Sequence, residues 1–315
     1  MAGRLAQKLA VAENRQSMLA SIQDLIRELG TFSVPSIITQ EPFDNDASHY
    51  RRLCRSGKNP DPIDLSSYAQ DMMYQELQRD LFIFFLPICL SAWQDDLIES
   101  RESTYAGFVE QLSAALAKHA GFRDLLSPTH YVAVSNFMRN AILDKIDQEK
   151  KLAFSSMRAS PYSWIYTIGT FGTAFPSVSD LWEEWWSCLT VGRACGVLQY
   201  ASVLMYPEDR NPIFSPWTPD AGGGAPVLWE TNGHIFDQSW LPENLEFLRT
   251  TLTPGYVGES ILAAALILRG ETDSSVPEKM ISNFDNAVTF VELRIEELIQ
   301  YLSLPLGEVG EWQTT

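Results

Sequence analysis

The chain has 315 residues, with 23 Lys+Arg against 40 Asp+Glu for a formal charge of −17; 45% of residues are apolar and 11% aromatic. Only 20% are charged, and nine Trp, eleven Tyr and sixteen Phe need apolar surroundings, which excludes whole-chain disorder and a coiled-coil fibre. Net charge is +2 over 1–60, −5 over 61–179 and −14 over 180–315, a field that repels nucleic acid and anionic membrane surfaces and would steer a basic protein partner.

At the N-terminus, Arg4, Lys8, Glu13 and Arg15 interrupt the stretch Met1 to Met18, so no signal peptide is expected and the chain reads as cytoplasmic. Apolar spacing over 3–29 predicts a surface helix that Gly30 stops. Prolines and glycine over 31–64 predict an extended connection with one short helical turn around 49–54. Residues 66–98 read as one long helix, apolar on every side from Leu81 to Leu86 and kinked or split at Pro87. The uninterrupted apolar run from Leu81 to Leu90 is half the roughly twenty residues of a membrane span.

A helix follows at 104–119, then another at 128–152 that Ser127 caps and Pro128 opens. Pro161, Gly169, Gly172 and Pro176 predict a short extended segment and a break over 155–177. Ser177 with Asp180 resembles an N-cap for a helix that carries Trp182, Trp185 and Trp186 inward and runs to about 206. Helices resume at 242–251, 256–269 and 277–303, the last with Phe284, Val288, Val291, Ile295, Leu298 and Ile299 as its inward stripe. Between them, the Pro- and Gly-rich stretch 207–242 holds Asn232-Gly233 between two short apolar segments, which predicts a β-hairpin over about 227–237. The expected architecture is mainly α: a single multi-helix globular domain over 1–315 with one small hairpin, and a bilobed division, if any, near 155–177.

Four histidines (His49, His119, His130 and His234) form no metal-binding spacing, and Cys54, Cys89, Cys188 and Cys195 form no C-x-x-C, so reduced thiols and no cofactor are expected. No nucleophile elbow or phosphate-binding loop is present in the sequence. Asp95, Asp96 and Glu99 place carboxylates within one turn of a helix, where they could share Mg²⁺ on a diphosphate. This five-residue run resembles the D-D-x-x-D/E motif of class I terpene synthases, a helical family of similar size. The resemblance implies a Mg²⁺-dependent enzyme with an aromatic pocket. The second metal motif of that family has no counterpart, since neither Asn244 nor Asn283-Phe284-Asp285 continues correctly.

The long stretch 207–242 sets Trp217, Trp229 and Trp240 among Glu208, Asp209, Asp220, Glu230 and Asp237, with His234 at the hairpin turn. Large aromatics ringed by polar groups are the composition of a binding surface, and long irregular segments are often functional. Glu208, Asp209, Trp217, Asp220, Glu230, His234 and Asp237 are the expected contacts to a basic protein. The expected function is a soluble cytoplasmic binding protein of the immunity or inhibitor type that occludes a basic partner; the alternative is the Mg²⁺-dependent enzyme.

Overall fold

The computed structural model describes residues 21–30, 32–42, 48–56, 60–99, 107–118, 122–149, 151–152, 162–207, 210–213, 239–271 and 275–303. Among these are thirteen helices and no strand. The region of the expected hairpin, 227–237, lies outside the described residues, as do residues 3–20 of the expected first helix.

The N-terminal part comprises α1 (Ile22–Leu29), α2 (His49–Ser56), α3 (Pro62–Tyr74), α4 (Arg79–Glu99), α5 (Phe108–Lys118) and α6 (Phe122–Leu125). Gly30 ends α1 as expected, with φ 82 and its N–H bonded to the Ile26 carbonyl. The long helix expected over 66–98 is two helices, and the break falls at 75–78 instead of at Pro87, which α4 carries in its interior. Gln78 explains the break. Its carboxamide oxygen accepts from the Thr39 and Gln40 amides at 2.7 and 3.2 Å, its own amide donates to Gln40 Oε1, and its Nε2 reaches the Ile37 carbonyl at 2.8 Å. The segment 37–40 of the same chain thus holds the Gln78 side chain and, through Gln40, takes the Gln78 amide that a continuous helix would pair with its own carbonyl.

α4 has the length and mean hydropathy of a membrane-crossing helix, and 56% of that window is buried within the protein. It packs against α1, α5, α6 and α7 (Pro128–Asp147), which take up its all-round apolar surface. α7 opens as its sequence predicts, with Ser127 Oγ accepting from the His130 amide and Pro128 in the first turn.

Residues 162–174, expected as a broken extended segment, form α8 (Tyr162–Ala174), which packs on α5 and α7. Its Gly169 and Gly172 are tolerated because burial outweighs helix propensity; Gly172 lies under the indole of Trp240, where a Cβ would sit 2.3 Å from the ring. The helix expected from 177 to 206 is likewise two, α9 (Val178–Trp186) and α10 (Val191–Met205), bent by 107° at Cys188, which has φ 53. Ser177 does not cap α9; its hydroxyl meets Ser135 Oγ at 3.0 Å, and Asn244 Oδ1 accepts from the Val178 amide instead.

Three helices complete the chain: α11 (Pro242–Thr251), α12 (Pro254–Ile267) and α13 (Ser275–Ser303). α12 and α13 pack on each other and both pack on α10. The core is one contiguous cluster from Leu25 to Leu302. At its centre, Trp182 stacks on Trp186, Trp186 on Tyr256, and Trp164 and Tyr200 meet Trp185 edge-on, with centroids 5.0–5.4 Å apart. The indole N–H groups of Trp185 and Trp186 are buried without an acceptor. Each such group costs about 1–3 kcal/mol, so ring packing is what holds this centre.

Asn244 is 1% exposed and bonds three elements at once: Nδ2 donates to the Gly172 and Phe175 carbonyls at 2.8 and 2.6 Å, while Oδ1 accepts from Val178 N at 3.3 Å. Replacing it by Ala removes all three of these bonds from the buried interior, where only the Gly172 carbonyl keeps the Leu241 amide as a second donor, and Asn244→Ala is expected to lower unfolding stability by about 2–4 kcal/mol in urea titration. A change below about 0.5 kcal/mol would show that the clamp is dispensable.

Candidate interaction surface

The residues that the sequence nominates as partner contacts, Glu208, Asp209, Trp217, Asp220, Glu230, His234 and Asp237, lie outside the described residues. Both flanks of that stretch are described, and both are pinned. On one side Asn211, 1% exposed, donates to Ser202 Oγ at 3.0 Å on α10 and accepts from the Ile213 amide. On the other, the Trp240 amide donates to the Leu302 carbonyl at the end of α13, and the Leu241 amide to the Gly172 carbonyl. Trp240 itself is a correction: grouped by composition with Trp217 and Trp229 as a binding aromatic, it is 4% exposed and belongs to the core, where the missing side chain of Gly172 makes room for it.

Asp95 and Asp96 do not converge. Asp96 is 6% exposed, and its carboxylate accepts from Val109 N at 2.9 Å at the start of α5. Burial raises its pKa, while the Val109, Gly107 and Phe108 amides oppose that rise. Those amides are the orphan donors of a helix start, so Asp96 acts as a cap supplied from another helix. Asp95, one residue earlier and about 100° around the helix, is exposed. Glu99 is the last residue of α4. Among the described residues no group of three His, Cys, Asp or Glu is placed to hold a metal ion.

Burial raises the pKa of Cys89 and pushes the Cys188 thiol up to about 12, which keeps both protonated and poorly nucleophilic. One carboxyl stands apart. Glu149, just past α7, is raised to about 7, chiefly by burial; Lys145 of α7, Gln199 of α10 and Trp164 of α8 pull it back in part. Lys145 is itself lowered by the same burial. Sequence reading misses Glu149 because a Glu before Lys150-Lys151 looks like solvated charge. Nearby, Arg193 grips Asp147 with two bonds of 3.1 Å, and Thr190 bonds the same carboxylate, tying the start of α10 to the end of α7.

The exposed acid collects on α11–α13. Over the described residues 242–303 there are nine acidic side chains and four basic ones. Glu243, Glu246, Glu259, Glu271, Glu278, Asp285, Glu292, Glu296 and Glu297 are all exposed. One of the four cations, Arg294, is turned inward, 13% exposed and 3.3 Å from Glu297. Exposed apolar side chains share these helices: Leu262, Leu266 and Ile267 on α12, Ile281, Val288 and Leu293 on α13. Val288 corrects the predicted inward stripe: it is 37% exposed, because the buried line runs through Met280, Ala287, Val291, Ile295, Leu298 and Leu302.

In comparisons with known proteins, no family, no curated protein and no solved structure matches the chain.

Glu149 generates a pH prediction. Its folded pKa of about 7 lies above the ordinary value of 4.5, so between those pH values the folded chain keeps a proton that the unfolded chain has released. Stability is therefore expected to fall by about 1–3 kcal/mol as pH rises from about 4.5 to 7.5, and Glu149→Gln to flatten that slope. An unchanged slope in the variant would contradict the assignment.

Proposed function

We propose that this protein is a soluble cytoplasmic protein-binding protein, of the immunity or inhibitor kind, which occludes a basic partner. The observation that carries this reading is the exposed surface over the described residues 242–303, where nine exposed acidic side chains face three exposed basic ones and large apolar residues stand among them. Soluble proteins scatter single apolar residues over their surfaces, but several on two packed helices, within a field of one sign, match what a partner needs: apolar anchors for affinity and charge for steering. The stretch that holds Glu208, Asp209, Trp217, Asp220, Glu230, His234 and Asp237 leads, through Trp240, into a backbone bond with Leu302 at the end of α13. The seven residues are counted among the contacts on their composition, large aromatics among acids. The mechanism is steric and electrostatic: the acidic surface covers a basic cleft and keeps its own substrate out.

Affinity capture from native lysate at about 50 and 500 mM salt tests this, since contacts between exposed charges weaken as the screening length shortens. The expected result is one protein of high isoelectric point, retained at low salt, released at high salt and lost when Glu208, Asp209 and Asp220 are changed to Lys. Absence of any partner at both salt concentrations, or a partner indifferent to salt and to those changes, would contradict the reading.

A further inference from the structure

Three apolar and three acidic residues of α13 recur with one period, while Leu293, Glu296 and Glu297 lie outside it. Ile281, Val288 and Ile295 recur every seven residues, and so do Glu278, Asp285 and Glu292. At 3.6 residues per turn, a seven-residue period keeps each set on one side of the helix, with members about 10 Å apart. The seam of the helix that faces the protein runs through Val291, Leu298 and half-buried Phe284, three residues after each member of the apolar set. Ile281 and Val288 therefore sit on the shoulder of that seam, 36% and 37% exposed, with the acids alongside them on the solvent side. At the C-terminal end the shoulder opens into a groove of about 470 Å³, floored by Leu252, Pro254, Ile295 and Ile299 and edged by Glu292, Glu296 and Arg249.

Apolar residues at positions a and d of a heptad, flanked by charge at e or g, are the pattern with which one helix receives another. Along α13 the apolar line is half covered by its own protein, and the charge along its open side is acidic apart from Arg249 at the groove. We propose that this shoulder is the docking site for a basic amphipathic helix of the partner. Leu or Ile of that helix at heptad spacing packs beside Ile281 and Val288 and enters the groove, and Lys or Arg faces Glu278, Asp285 and Glu292. This rests on the reading of the protein as a binder of a basic partner and adds where and in what form that partner binds.

The probe is a synthetic 21-residue helix-forming peptide of Leu, Ala and Lys, with Leu at heptad a and d positions and Lys beside them; a scrambled peptide of the same composition is the control. Two variants of the full chain carry the same charge change: one with Glu278, Asp285 and Glu292 changed to Lys, the other with Glu243, Glu246 and Glu259 changed to Lys. Circular dichroism and urea midpoints confirm that both fold. By fluorescence anisotropy the native chain is expected to bind the patterned peptide at least about tenfold more tightly than the scrambled one. The α13 variant is expected to lose about tenfold or more and the other variant less than about threefold, because only the former reverses charges opposite the docked lysines. Equal losses in both variants, or equal binding of the two peptides, would overturn the docking site while leaving a basic partner in place. Failure of the native chain to bind either peptide, together with failure to capture a partner, would overturn the binding reading itself.

Discussion

The carboxamide of Asn244 closes the last carbonyls of α8, takes the first amide of α9 and does both from the first turn of α11. Three helix ends therefore meet at one buried side chain, and the geometry of the C-terminal half follows from that meeting. α9 leaves it carrying Trp182, Trp185 and Trp186 into Tyr200 of α10. α11 leaves it in a direction that lays α12 and α13 over α10. A small polar residue manages this because one amide group both donates and accepts, and in a low-dielectric interior each of those bonds is costly to lose.

The helical class, most helix positions and the inward tryptophans were legible in the sequence, because each rests on a local pattern: 3.6-residue periodicity, Ser127-Pro128, Gly30 after Leu29. The misplacements share a physical cause in contacts distant along the chain. The break at 75–78 is set by Ile37, Thr39 and Gln40, some 40 positions from Gln78. The start of α9 is capped by Asn244, 66 positions away, which displaces the local Ser177 cap. Gly169 and Gly172 look like breakers until Trp240 arrives to fill the space above Gly172. Val288 was drawn into the inward stripe because a helix of 29 residues offers more than one apolar line, and only its neighbours decide which one is buried.

The candidate site was legible in its chemistry more than in its position. Charge counting located the acid in the C-terminal part, and the structure adds which helices carry it and that apolar side chains stand among it. Asp95 and Asp96 show the opposite case, a local motif dissolved by tertiary contacts: two neighbouring carboxylates promise a shared cation, but one of them is turned to the start of α5. Their roles separate because adjacent helical residues point about 100° apart, so burial of one and exposure of the other is the ordinary outcome. The fold thus assigns its aromatic mass and its inward carboxylates to stability, and of its outward carboxylates over α11–α13 it pairs Glu246 with Arg249 and Glu297 with Arg294.

Amide hydrogen exchange of the chain with and without its captured partner tests the placement of the binding surface most directly, since a docked partner slows local opening where it sits. The account predicts slowed exchange concentrated in α12 and α13, with α1 to α6 unchanged. Slowing confined to α1 to α6, with α13 exchanging as in the free chain, would contradict it.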